Sequence, residues 1–140
     1  TSTLSADELG LISQNRLESF LHTSLADRMH LAALRGELYK EQPFVLSCPV
    51  RELFADAESE DETNTVLVQG IIDVFFKEDD GIVLMDYKTD RVDEVGELVL
   101  RYEKQLALYG KALSRAYKLP VKEILIYSFY FNEVIPCTIS

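Results

Sequence analysis

No Cys-x-x-Cys pair occurs in the sequence, and its two cysteines, Cys48 and Cys137, stand far apart. A zinc ribbon, an iron–sulfur site and a disulfide framework therefore lack their usual spacing, and reduced cytosolic thiols are the expectation. No apolar run approaches the roughly 18 residues that a membrane span needs. The N-terminus also lacks the basic, apolar and small-residue order of a secretory signal, so the chain as given reads as soluble. Methionine is scarce. The chain opens on Thr1-Ser2-Thr3 and its only methionines are Met29 and Met85, which points to a piece of a longer polypeptide. Its 140 residues, 47% of them apolar, are enough for one folded domain over residues 1–140, because one core serves about 100–200 residues.

Positive charge is in short supply. Fourteen Lys and Arg stand against 24 Asp and Glu, and the net charge of −10 argues against broad electrostatic attachment to nucleic acid or to an anionic membrane. The distribution is uneven. Asp56 to Glu62 places five carboxylates in seven residues, a pattern of solvated loops rather than of metal sites. Lys88 to Lys118 carries seven basic residues against five acidic ones, which leaves the C-terminal half able to present a basic face.

The order of elements follows from periodicity. Ser5 and Glu8 have the spacing of a capping box and predict a helix from about Ala6 to Leu21, with Leu9, Ile12, Leu17, Phe20 and Leu21 near helical spacing. A short helix from about Ser24 to Leu34 repeats the pattern with Leu25, Met29, Ala32 and Ala33. His22 and His30 have no second histidine at ligand spacing, and read as surface or packing residues. After Gly36, residues Glu37 to Ser47 predict a strand interrupted at Pro43. From Val66 to Thr89, β-branched and aromatic runs flank Glu78-Asp79-Asp80-Gly81, which predicts a hairpin. A calcium loop is excluded there, because Phe76 occupies the position five before Gly81 where a ligating Asp is required. A helix is predicted from about Gly96 to Tyr117, ended by Pro120. Glu123 to Tyr130 then reads as an interior strand, Asn132-Glu133 as a turn, and Val134 to Ile139 as a last strand. The order is that of an α/β domain with a mixed sheet, in which the long helix is the crossover between parallel strands.

Two acids interrupt otherwise apolar strands: Asp73 in Gly70-Ile-Ile-Asp and Asp86 in Leu84-Met85-Asp86-Tyr87-Lys88. A buried, unpaired carboxylate is costly, so each calls for a cation. With Asp79 and Asp80 at the turn, Asp73 and Asp86 fall at equal distances from its centre and become cross-strand neighbours. Two carboxylates so placed repel unless a divalent ion joins them. Lys88, two residues after Asp86, lies on the same strand face, where an ammonium can orient an attacking water and stabilise charge on a phosphoryl oxygen. The plainer reading is an ion cluster at the end of a sheet. Gln105 and Tyr109, four apart on the long helix, point the same way, and on the residues alone read as satisfied core groups.

Taken together, Gly70-Ile71-Ile72-Asp73, Asp86-Tyr87-Lys88-Thr89 and Gln105-Leu106-Ala107-Leu108-Tyr109 resemble the nuclease domain of the RecB-type branch of the PD-(D/E)XK superfamily. The wording Asp86-Tyr87-Lys88-Thr89-Asp90-Arg91-Val92 is similar to that of AddA-type (RexA) helicase–nuclease subunits, and so is Tyr39-Lys40-Glu41-Gln42-Pro43-Phe44. The resemblance implies a restriction-endonuclease-like core, a mixed central sheet flanked by helices. It implies that Asp73 and Asp86 bind Mg²⁺ or Mn²⁺, with the backbone carbonyl of Tyr87 as a further ligand, and that Lys88 is catalytic. Gln105 and Tyr109 become a helix motif that supports the site and contacts DNA, and Glu41 an outlying acid near it.

The same resemblance implies metal-dependent phosphodiester hydrolysis of a DNA single strand, fed from an unwound duplex end during recombinational repair in the bacterial cytoplasm and nucleoid. Implied partners are helicase domains of the same polypeptide, where alone ATP would bind, and an AddB-type protein, with no membrane. Related nucleases bring a further ligand, a histidine, from an upstream helix, and His22 and His30 lack its Gly-x-x-x-His context. An incomplete metal site with weak isolated activity is therefore expected. A nuclease fold kept only for DNA or partner binding is the competing reading.

Overall fold

The computed structural model describes residues 14–49 and 64–138. The capping box at Ser5 and Glu8, the start of the first helix, the acidic run from Asp56 to Glu62, and Ile139 lie outside the described residues. Among the described residues, three helices and five strands follow one another: α1 (Gln14–Leu21), α2 (Ser24–Leu34), β1 (Leu38–Pro49), β2 (Thr65–Glu78), β3 (Gly81–Lys88), α3 (Val95–Tyr117), β4 (Val121–Ser128) and β5 (Glu133–Cys137). The strands form one sheet in the order β1-β2-β3-β4-β5. Every neighbouring pair is antiparallel except β3 and β4, which are parallel and joined by α3. This is the mixed sheet expected from the sequence.

Local chemistry sets the element ends. Thr23 accepts a hydrogen bond from the Ala26 amide and starts α2. Lys118, in the left-handed conformation at φ 55°, ends α3 two residues before Pro120. A Cβ at Gly81 would meet the Pro120 carbonyl oxygen at 2.8 Å, so only glycine lets this loop close against the start of β3.

The sheet is covered on both faces. Toward α3, Phe75, Ile82, Leu84, Ile124 and Ile126 pack with Leu98, Leu106, Tyr109 and Leu113. Toward α1 and α2, Val74, Phe76, Val83, Met85 and Tyr127 pack with Phe20, Leu25, Met29 and Ala32. Each such side chain stabilises the fold by about 1.5–3 kcal/mol, which is why β3 is buried from Gly81 to Asp86 without the alternation of a half-exposed strand.

The predicted break at Pro43 does not occur: β1 runs on through Pro43, which pairs with Ile71. Because β1 is the edge strand, a residue without an amide hydrogen can lie in it without losing an interior ladder bond. The interior strand ends at Ser128 rather than Tyr130, and Phe129 to Asn132 form the turn.

β1 and β2 change faces together at one point. Ile72 and Phe75, three residues apart, both pack toward α3, as do Tyr39 and Phe44, five apart. Strict alternation would put each pair on opposite faces. The interruption falls where Glu41, with φ 48°, stands in register opposite Asp73, between the pairs Lys40 with Val74 and Gln42 with Ile72. Asp73 thus occupies the kink of a continuous two-stranded ribbon.

Candidate active site

The hairpin ladder between β2 and β3 stops at Val74 and Met85. The next residues in register are Asp73 and Asp86, as the sequence spacing predicted. In place of a further backbone bond, the Asp73 carboxylate Oδ2 accepts from the Tyr87 amide at 3.0 Å. Both aspartates are buried, at 4% and 1% exposure. Asp86 follows Leu84 on the face toward α3, and Lys88 follows Asp86.

Lys88 is 5% exposed, and its Nζ lies 2.9 Å from Asp86 Oδ2 and 3.9 Å from the centroid of the Tyr102 ring. A buried ammonium held between a carboxylate and an aromatic face stays in place without water. The other carboxylate oxygen, Asp86 Oδ1, is buried and has no hydrogen-bond partner among the described residues.

Helix α3 closes the site. Gln105 Nε2 donates to the Tyr109 hydroxyl at 2.9 Å, so the phenol's own hydrogen remains for another acceptor. Burial, with Asp86 and then Asp73 nearby, pushes the Tyr109 hydroxyl above its usual range, and the Gln105 bond partly offsets this. A Cβ on Gly70 would stand 2.9 Å from the Tyr109 oxygen and 2.9 Å from the Phe44 ring, so Gly70 admits the phenol against β2. Tyr87 lies on the opposite side of the acid pair, and burial with the Asp73 charge raises its hydroxyl far above the usual range. The Cys137 thiol is pushed up to about 11 by burial, with Glu103 and Asp86 adding to it.

The structure therefore brings together Asp73, Asp86, Lys88, Gln105 and Tyr109. It places Glu41 opposite Asp73 along the strand, yet leaves the Glu41 side chain exposed. His22 and His30 are exposed on the surface of the α1–α2 segment. Among the described residues, no group of three His, Cys, Asp or Glu is placed to hold a metal ion.

Two residues that the sequence did not single out join the site. Tyr102 carries Lys88 on its ring and donates its hydroxyl to Asp90 Oδ2 at 2.7 Å, and Arg101 reaches the same oxygen at 2.7 Å. These bonds fasten α3 to the segment leaving β3. The available signal was the spacing of Tyr102, Gln105 and Tyr109, which puts three polar-tipped side chains on one helical stripe.

The buried carboxylates fit a divalent cation: Asp73 and Asp86 are neighbours across the hairpin, and Asp86 Oδ1 lacks a donor among the described residues. A groove of about 510 Å³ is lined by β1, β2 and α3, with Gln105 and Tyr109 in its wall.

A model of the PD-(D/E)XK nuclease superfamily matches residues 7–134 of the chain. Similar curated proteins include three that are each named as the A subunit of an ATP-dependent helicase/nuclease. The protein of Lachnoclostridium phytofermentans is 39% identical over 161 aligned positions, covering 92% of this chain and 12% of that protein. Its counterpart in Thermoanaerobacter sp. is 39% identical, covering 94% of the chain and 11% of the relative. That of Bacillus licheniformis is 36% identical, with the same two coverages of 94% and 11%. The chain spans about 12% of the length of the first of these relatives.

Proposed function

The chain belongs to the PD-(D/E)XK nuclease superfamily, and from that premise we propose that Asp73, Asp86 and Lys88 form the centre of a divalent-metal-dependent DNA nuclease that hydrolyses phosphodiester bonds. The observation that carries this reading is the buried Lys88–Asp86 pair at 2.9 Å, set beside Asp73 where the hairpin ladder ends.

Asp73 and Asp86 would hold Mg²⁺ or Mn²⁺, with the Tyr87 carbonyl as a further ligand. When bound, such an ion acidifies the attacking water and polarises the phosphate. Lys88 keeps its ammonium at the reacting centre, held by Asp86 and the Tyr102 ring, and stabilises charge developing on a phosphoryl oxygen. Gln105 orients the Tyr109 hydroxyl so that its hydrogen can be donated to the substrate. Glu41 has only a distant, supporting place, because its side chain is exposed.

The substrate in this reading is a DNA single strand, and the reaction is exonucleolytic. The wider polypeptide would be one component of a helicase–nuclease that processes double-strand breaks in the bacterial cytoplasm. ATP would act only in its motor domains, and its partner would be an AddB-type protein. Support comes from the relatives' name, and motor domains that supply most of the phosphate contacts would reconcile the charge of −10 with DNA binding.

A second reading is a nuclease fold that binds DNA or a partner without chemistry. It is favoured by the lack of a third metal-ligating side chain among the described residues. Cleavage of end-labelled single-stranded DNA with Mg²⁺ or Mn²⁺, by the chain and by Asp86→Ala and Lys88→Gln, separates the two. A loss of about 100-fold or more in both variants supports the nuclease. Strand binding with no cleavage by any of the three supports the binding module.

A further inference from the structure

The turn after β4 carries three consecutive aromatic residues, Phe129, Tyr130 and Phe131, and the outer two are anchored on opposite faces of the sheet. Phe129 is buried in the core beneath α1 and α2, where it stacks on Tyr127 at 5.0 Å and on Tyr87 at 5.6 Å. Phe131 packs on the core beneath α3, and its amide donates to Ser128 Oγ at 3.0 Å. Asn132, in the left-handed conformation at φ 55°, closes the turn. Tyr130, between the two anchors, is left outside both cores and is 37% exposed. The Arg16 guanidinium lies 5.7 Å from its ring centroid, and the Phe131 ring meets it edge on at 5.0 Å. A partly exposed aromatic ring is thus held in one place rather than left on a loose loop.

That place is the reacting end of the sheet. β3 and β4 are parallel, Lys88 is in register with Ser128, and the Phe129 amide donates to the Lys88 carbonyl at 3.0 Å. The carboxyl ends of both strands therefore open together, on the side where an α/β sheet holds its ligands. The Cα of Tyr130 stands within about 12 Å of that of Lys88, given the spacing of neighbouring strands and the reach of two residues. Tyr109 stands against β2 at Gly70, whereas Tyr130 follows β4, so the two flank β3 and its acid–lysine pair.

We propose that Tyr130 is a stacking platform for one base of a DNA single strand whose phosphate reacts at Asp73, Asp86 and Lys88. This inference rests on the nuclease reading and deepens it, by giving the strand a contact on the β4 side of the site. Every base has a flat π-face, so stacking needs neither cations nor a particular sequence. A domain of net charge −10 gains in this way an attraction that its own electrostatics do not supply.

The test is fluorescence anisotropy with the full chain in EDTA, so that no strand is cut. The probes are a single-stranded deoxyoligonucleotide and an abasic strand of equal length. Tyr130→Leu should weaken the ordinary strand at least about fivefold, the effect of one stacked base, and leave abasic affinity as it was. Tyr130→Phe, which keeps the ring, should bind both strands as the wild type does. Photocrosslinking of a bromouracil-substituted strand to the wild type, mapped by mass spectrometry, reads the contact without any substitution and should mark Tyr130. It decides the matter if Tyr130→Leu fails to fold. Unchanged ordinary-strand affinity in Tyr130→Leu, equal weakening of both strands, or crosslinks that avoid the turn from Phe129 to Asn132 would overturn the platform. Should Asp86-dependent cleavage persist alongside any of these, the platform fails while the nuclease reading stands. Should no strand bind at low salt and none be cut with Mg²⁺ or Mn²⁺, both fail together.

Discussion

Lys88 Nζ lies 2.9 Å from Asp86 Oδ2 and 3.9 Å from the Tyr102 ring centroid, inside a site where both charged side chains are almost wholly buried. The pair is interdependent, because removing one charge strands the other. Lys88→Met should destabilise the chain by about 3–5 kcal/mol in EDTA. Asp86→Asn combined with Lys88→Met should cost clearly less than the two single changes summed. Denaturant melts measure this, and simple additivity would contradict the pairing.

Tyr102 has two separable contacts, its ring under Lys88 and its hydroxyl on Asp90. Tyr102→Phe keeps the ring and should leave cleavage within about twofold. Tyr102→Leu removes the ring and should lower it about 3- to 10-fold, consistent with a cation–π contact of about 1 kcal/mol. Equal losses in both variants would assign the role to the hydroxyl instead.

At the far end of the hairpin, Arg28 pairs with Glu78 at 2.7 Å and also with Glu123, while Lys122 pairs with Glu78 at 2.8 Å and also with Asp80. The bond from Arg28 is the main reason that the Glu78 carboxyl falls from 4.5 to about 2. A lowered folded pKa stabilises the fold above the unfolded value, so this contribution is full above about pH 4.5 and disappears as pH falls toward 2. Glu78→Gln should lower stability near neutral pH and flatten the acid limb between those values. An unchanged slope in urea melts across that interval would show that the network does not hold Glu78 ionised.

Tyr127 is fully buried, and its hydroxyl has no hydrogen-bond partner among the described residues. Burial also pushes that hydroxyl above its usual range. Tyr127→Phe keeps the ring stacked on Phe129 and removes the stranded polar atom, so it should be neutral or stabilising by up to about 1 kcal/mol. A loss of more than about 1 kcal/mol in thermal melts would point to a partner for that oxygen.

Much of this architecture was legible in the residues. Asp79, Asp80 and Gly81 fixed the hairpin turn, and counting outward from it set Asp73 opposite Asp86. The stripe from Leu98 to Leu113 marked α3 because an amphipathic helix must bury one face. Two features were hidden. Pro43 reads as a breaker in any strand, and only the sheet order reveals that β1 is an edge where the missing amide hydrogen costs little. The change of face at Glu41 and Asp73 could not be read either, because Ile71 to Phe76 is apolar at every position but one and shows no phase to interrupt. Within the site, the acids and the lysine stood out because charge inside an apolar strand needs a partner. Tyr102 did not, since a tyrosine on a helix stripe passes for core.

In the proposed nuclease, Asp73 and Asp86 hold a divalent ion beside Lys88. Calorimetric titration of Mn²⁺ into the chain, into Asp73→Ala and into Asp86→Ala measures that binding. One site in the wild type, weakened at least about tenfold by either substitution, is the expected result, because each carboxylate supplies an ionised oxygen ligand. Mn²⁺ binding of the same strength in all three proteins would contradict the claim and leave Asp73, Asp86 and Lys88 as a buried ion cluster of the fold.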